Sequence, residues 1–237
     1  MLSARGPLVF RQLFEKVSST YTYLLGCTAT RKALLIDPVL EMTQRDVQLV
    51  RELGFDLEYS LNTHMHADHV RSCEELKKQF PKLKSVHGDP EGKADILVKD
   101  NDVIACGKEI HLRCLHTPGH TPGCYCFFFN HENHPMVFTG DAMLVRKCGR
   151  TDFQNGSASD LYDSFTQKMY HLPAETLVYP GHDYDGFTVS TIEEEKKYNA
   201  RCPEGQTREK FIEIMENLNL APPKNIIYNV TENRKRG

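Results

Sequence analysis

The 237-residue chain predicts a layered α/β fold in one domain. Three observations carry this. Short apolar runs alternate with amphipathic segments along its length. No internal repeat or low-complexity linker divides it. The length suits one full hydrophobic core.

Taken in order, the apolar runs at 21–25, 33–36 and 57–62 read as strands, the last of them buried. Residues 44–53 read as the first helix, with Thr43 as N-cap and Gly54 as its stop. A second helix is expected from about Asp68 to just before Pro81, its leading acid suited to the helix N-terminus. Further strands are expected at 110–115, 125–129, 136–138 and 176–179, and a third helix over 159–169. Near the C-terminus Phe211, Ile214, Met215 and Leu218 fall on one helical face and read as core contacts. The tail Arg234-Lys235-Arg236 is expected to be disordered and without function.

Charge and cysteine usage narrow the class. The net charge is −3 and the pI about 6.4. No global basic field would attract nucleic acid or an acidic membrane. No run is long enough to span a bilayer. The eight cysteines contain no Cys-x-x-Cys pair. With no secretory signal recognised, reduced thiols in an intracellular compartment are expected. Cys124 and Cys126 read as small apolar fillers, and so does Cys148, although its place beside the candidate site makes it the exception to watch. Residues 1–7 carry Arg and Ser and no acid, as the end of a transit peptide would. His87, His111, His116, His131, His134 and His171 read as solvated.

The heptapeptide Thr63-His64-Met65-His66-Ala67-Asp68-His69 carries the most chemistry. Four metal-binding side chains follow a buried strand. In extended chain, residues two apart point the same way, so His64 and His66 could converge on one ion. Asp68 and His69 could then serve a second position. Downstream, His120 lies in Pro118-Gly119-His120-Thr121-Pro122-Gly123. Asp141 closes Phe138-Thr139-Gly140-Asp141, and His182 lies in Tyr179-Pro180-Gly181-His182-Asp183. Each follows an apolar run and sits in a turn, where a rigid scaffold places functional groups.

These motifs, in this order, resemble the metallo-β-lactamase superfamily. The segment Gly149-Arg150-Thr151-Asp152-Phe153-Gln154-Asn155-Gly156 resembles its persulfide dioxygenases rather than glyoxalase II. So do Tyr21-Thr22-Tyr23-Leu24-Leu25-Gly26, Leu35-Ile36-Asp37-Pro38-Val39, Gly186-Phe187-Thr188-Val189-Ser190-Thr191 and Asn217-Leu218-Asn219-Leu220. The resemblance implies an αββα sandwich with a metal at one edge of two sheets. It also implies a single domain over 1–237, with a short C-terminal extension from about 200. The short stretch after His182 favours the dioxygenase, because glyoxalase II carries a substantial helical C-terminal domain.

The same resemblance implies one Fe(II) per chain, held by His64, His120 and Asp141 as a two-histidine, one-carboxylate triad. His66, Asp68, His69 and His182 would support that triad or, in the alternative reading, complete a di-metal thioester hydrolase of the glyoxalase II kind. The implied reaction is oxidation of glutathione persulfide by dioxygen and water to sulfite and glutathione, in sulfide catabolism. Arg146, Lys147 and Arg150 offer cations near Asp141 for an anionic substrate. Arg150 is the choice for an anion contact, with loop bracing through Asp152 or a backbone carbonyl an equal alternative. Tyr184 is expected to hydrogen-bond substrate or dioxygen, with a place at the core edge as its alternative. A mitochondrial matrix location is implied, with the cytoplasm as alternative. A homodimer is left open.

Overall fold

The computed structural model describes residues 7–222 and 224–235. The transit-peptide reading of the first residues and the end of the basic tail lie largely outside them. Two sheets form. The first runs β1 (Leu8–Glu15), β2 (Thr20–Cys27), β3 (Lys32–Ile36), β4 (Asp56–Leu61), β5 (Lys84–His87), β6 (Ile96–Leu97). It is antiparallel up to β3 and parallel from β3 to β6. The second holds β7 (Val103–Cys106), β8 (Ile110–His116), β9 (Tyr125–His131), β10 (His134–Gly140), β11 (Leu177–Pro180) and β12 (Ser190–Thr191) in that spatial order. Only β10 and β11 pair in parallel there.

Side-chain alternation builds the layers. On β2, β3 and β9, Tyr23, Leu25, Leu34, Ile36, Phe127 and Phe129 enter a core shared by the two sheets. Leu24, Ala33 and Leu35 point the other way, under α1 (Thr43–Glu52) and α2 (Cys73–Gln79). Cys126 and Val137 likewise back onto α3 (Ala158–Asp163), the turn that follows it and α5 (Arg208–Glu216) through Leu161, Phe165 and Phe211. Strands buried on both faces read as continuous apolar runs, which is why they were legible. The result is the two-sheet, helix-flanked fold expected.

Several local expectations need correction. Thr43 does not cap α1. Met42 precedes the helix without a side-chain cap, while the Thr43 hydroxyl donates to the Leu40 carbonyl at 2.6 Å. Gly54 does end it, with φ of 70°. The second helix begins at Cys73, not near Asp68. Residues 70–72 instead bond across to 38–40: Leu40 N–H reaches Val70 O at 2.8 Å and Ser72 N–H reaches Pro38 O at 3.0 Å. The third helix runs as expected to Asp163, then widens into a π turn (Ser164–Lys168) and a 3-10 turn (Met169–His171). The eight-residue strand β1, the short strands β5, β6, β7 and β12, and helices α4 (Ile192–Tyr198) and α6 (Ile226–Lys235) were not anticipated. Helix α6 includes Arg234 and Lys235 of the supposed disordered tail. His87 is fully buried rather than solvated.

Asp46 offers a pH test of the fold. Its carboxyl is fully buried in α1, with Oδ1 on Arg45 Nε at 2.8 Å and Oδ2 lacking a hydrogen-bond partner. Burial lifts its pKa to about 6, against the pull of Arg45. The folded state therefore holds this proton more tightly than the unfolded chain. Its stabilising effect is complete below the unfolded value of 3.8 and is lost as pH rises through about 6. Wild type is expected to lose up to about 3 kcal/mol relative to Asp46→Asn across that window. Urea unfolding of both proteins at several pH values checks this; a pH-independent difference contradicts it.

Candidate metal centre

The chain repeatedly places a polar ligand type just past a buried strand. Asp37 follows β3, the heptapeptide follows β4, Asp141 follows β10, and His182 follows β11. Parallel pairing of β3 with β4 and of β10 with β11 brings these ends to one edge, where α/β folds gather ligands. His120 arrives on the β8–β9 connection. Bonds between the sheets lock that edge: Tyr21 N–H to Gly181 O and Tyr125 N–H to Thr63 O, both 2.8 Å.

Two groups of three donors result. Ligand atoms of His64, His120 and Asp141 lie within 4.8 Å of one another, and so do those of His66, Asp68 and His69. The alternation argument put His64 and His66 on one ion. Their rings are 4.1 Å apart but belong to different groups, because the chain has already left extended geometry at 62–72.

Hydrogen bonds select a tautomer for each ring. Asp37 accepts from the Thr63 amide at 2.7 Å and the Thr63 hydroxyl at 2.8 Å. With its own hydrogen committed, that hydroxyl accepts from His64 Nδ1 at 3.0 Å. His120 Nδ1 is 2.7 Å from the Arg150 carbonyl, which can only accept. Both imidazoles therefore keep Nε2 as the lone-pair nitrogen, and His120 Nε2 lies 3.5 Å from Asp141 Oδ2. His66 uses Nε2 on Asp37 at 3.0 Å, leaving Nδ1 buried without a hydrogen-bond partner. His69 uses Nδ1 on Asp68 at 2.9 Å, leaving Nε2 in the same condition. His182 Nε2 lies 3.4 Å from Asp141 Oδ1 and 3.7 Å from Asp68 Oδ2. Asp141 Oδ1 itself is buried with no hydrogen-bond donor.

Converging buried acceptors without donors are what a cation satisfies, so the residues present fit a metal. Burial, then mutual repulsion between the imidazoles, holds His64 and His66 well below the ordinary histidine range, so both rings are neutral, the ligating form. Burial works to raise Asp68, but His69 and His182 outweigh it and hold this carboxyl well down. Burial opposes protonation of His182, yet Asp141 and Asp68 push its pKa up.

Arg150 braces its own loop. It grips Asp152 through Nε at 2.6 Å and Nη2 at 2.7 Å, reaches the carbonyls of Ala221 and Leu220, and stacks on Phe153. Arg146 pairs with Glu194 and Glu195, and Lys147 with Asp185. Tyr184 is 62% exposed and its ring stacks on His182, while burial of its hydroxyl, then the charges of Asp141 and Asp68, raise its pKa well above the ordinary range. Cys124, Cys126 and Cys148 are buried and unpaired, as fillers should be.

Sequence reasoning missed Asp37 and Thr20 as site residues. The signal for Asp37 was available: an acid directly after a buried strand, like Asp141. Thr20 had none; its hydroxyl meets Asp68 at 3.3 Å and His69 and His182 at 3.4 Å only through folding.

Gly149 wedges between two of the candidate ligands. Its N–H donates to Asp141 O at 2.7 Å, and a Cβ there would lie 2.9 Å from both Asp141 Cβ and His120 Nδ1. Gly149→Ala is expected to cost about 1–3 kcal/mol by overpacking and to weaken metal binding roughly 10-fold or more. Metal titration beside thermal melting checks it; wild-type affinity would contradict it.

Comparison with known proteins agrees with this geometry. Residues 16–182 match the metallo-beta-lactamase superfamily. The mitochondrial persulfide dioxygenase ETHE1 of Homo sapiens is 48% identical over 241 residues, covering 100% of this chain and 93% of that protein. A probable hydroxyacylglutathione hydrolase of Schizosaccharomyces pombe is 33% identical over 166 residues, covering 69% of this chain and 64% of that protein. The crystal structure of ETHE1 from Myxococcus xanthus superposes with a TM-score of 0.90 at 50% identity, covering 95% of this chain and 98% of that one. The likeness to this hydrolase covers 69% of the chain, that to the human dioxygenase all of it. The chain thus belongs to the metallo-beta-lactamase superfamily, on its persulfide dioxygenase branch.

Proposed function

We propose that this enzyme oxidises a thiol persulfide, glutathione persulfide first among candidates, with dioxygen and water to sulfite and the free thiol. One Fe(II) per chain would be held by His64, His120 and Asp141. The observation that carries the reading is the full-length likeness to human persulfide dioxygenase ETHE1. The donor set supports it: two imidazoles and one carboxylate suit non-haem iron and leave open positions. When bound, Fe(II) supplies the redox chemistry that zinc cannot.

The chain's own residues orient and exclude. Thr63, fixed by Asp37, holds His64 in the Nε2-ligating tautomer, and the Arg150 carbonyl does the same for His120. By gripping Asp152 and the 220–221 backbone, Arg150 keeps that carbonyl in place. Its proposed contact with the substrate anion would have to be made from this braced position. Tyr184, stacked on His182, is proposed to hydrogen-bond the persulfide or dioxygen. His66, Asp68, His69 and His182 act as supports. We further propose one domain over residues 1–237 and a mitochondrial matrix location, the latter from the relatives' names. No helix among the described residues is long and apolar enough to cross a membrane.

The second donor group, His66, Asp68 and His69, keeps a di-metal thioesterase as the competing reading. Metal analysis with oxygen uptake on glutathione persulfide, beside thioester hydrolysis, separates the two. About one iron per chain with oxygen uptake is expected. Two tightly bound zinc ions with thioesterase activity and no oxygen uptake would sink the proposal.

A further inference from the structure

Helix α6 is held to the body of the protein in an unusual way. Its buried residues are Asn229 and Asn233, one turn apart on the same face, while Ile227 and Tyr228 are 83% and 62% exposed. Asn233 donates from Nδ2 to the carbonyls of His66 and His69, both at 2.9 Å, and accepts from the Arg71 amide at 2.9 Å. Asn229 donates to the carbonyl of Ala67 at 2.9 Å. Arg71 returns a bond from Nη2 to the Asn233 carbonyl at 2.7 Å. These backbone groups belong to the loop that carries His64, His66, Asp68 and His69, which is not itself helical. An amide is suited to the place because its tip offers two donors and an acceptor together.

We propose that α6 is a positioning element of the metal centre, with Asn233 as its principal contact, so that docking of α6 and metal occupancy are thermodynamically linked. A ten-residue helix is marginal alone, and this one buries little apolar surface. Its docking is therefore a local equilibrium of low free energy, open to bias. Metal that orders the ligand loop must favour the docked helix, and the docked helix must favour metal by the same factor. The inference rests on the metal centre proposed above, but not on the metal's identity or the reaction.

The test uses the full chain in three forms: metal-free, loaded with Fe(II) under anaerobic conditions, and loaded with Zn(II). Hydrogen exchange across residues 224–235 is expected to slow with either metal. Asn233→Asp, which places a second acceptor against two carbonyls, is expected to speed metal release to a chelator by roughly 10-fold and to abolish the exchange response. Arg234→Ala, which removes an exposed pair with Glu91 from the same helix, should change neither. A purely structural role would lower the melting temperature of the Asp variant with metal release unchanged, and that result overturns the proposal. So does exchange in α6 that ignores metal. A wild-type chain that binds neither metal sinks this proposal and the functional one together; one that binds metal while α6 stays indifferent sinks this one alone.

Discussion

Asp141→Ala is expected to give a folded protein that retains no iron and takes up no oxygen with glutathione persulfide. Asp141 is the carboxylate member of the proposed triad, and without it the two imidazoles alone balance none of the charge of a divalent ion. Its side chain also faces His182 at 3.4 Å, so truncation removes a contact to the supporting histidine as well. The fold should survive. The backbone carbonyl of residue 141 still accepts from Gly149, and the core packing of β10 through Val137 and Phe138 is untouched. Iron content by elemental analysis, after a circular dichroism check, decides the matter. A variant that kept full iron would move the carboxylate role elsewhere, with Asp68 the first suspect.

The second expectation separates four histidines. With one iron in the His64–His120–Asp141 group, His64→Ala and His120→Ala each lose the metal. His66→Ala and His69→Ala retain much of it, since loss of a supporting partner typically costs on the order of 10–100-fold rather than the site itself. Each of the four rings spends one nitrogen on a protein partner and keeps the other, so the contrast rests on grouping: His64 and His120 lie with Asp141, His66 and His69 with Asp68. In a di-metal hydrolase all four changes would deplete metal. Equal depletion in the four purified variants would end the mononuclear reading.

The motifs around residues 63–69, 118–123, 138–141 and 179–183 were legible in the sequence because ligand chemistry needs particular side chains, and strand ends announce themselves by apolar runs. The layered fold was legible for a related reason. Leu24, Leu25, Leu34 and Leu35 face two different cores, so β2 and β3 appear as unbroken apolar stretches. Weaker elements were not legible. Strands β6 and β12 have two residues each, too few for a period to register, and α6 buries two asparagines where an apolar stripe would have declared a helix. The sequence by itself determined which residue types could bind a metal and roughly where the chain would turn to present them. Only the tertiary structure decided how they group and which nitrogen each ring offers. Those outcomes depend on partners far away in the chain: Asp37 on His66, the Arg150 carbonyl on His120, Thr20 beside His69 and His182, and Asn233 on the backbone of His66 and His69. Hydrogen-bond geometry between distant segments exists only once the sheets have packed, and no local pattern encodes it.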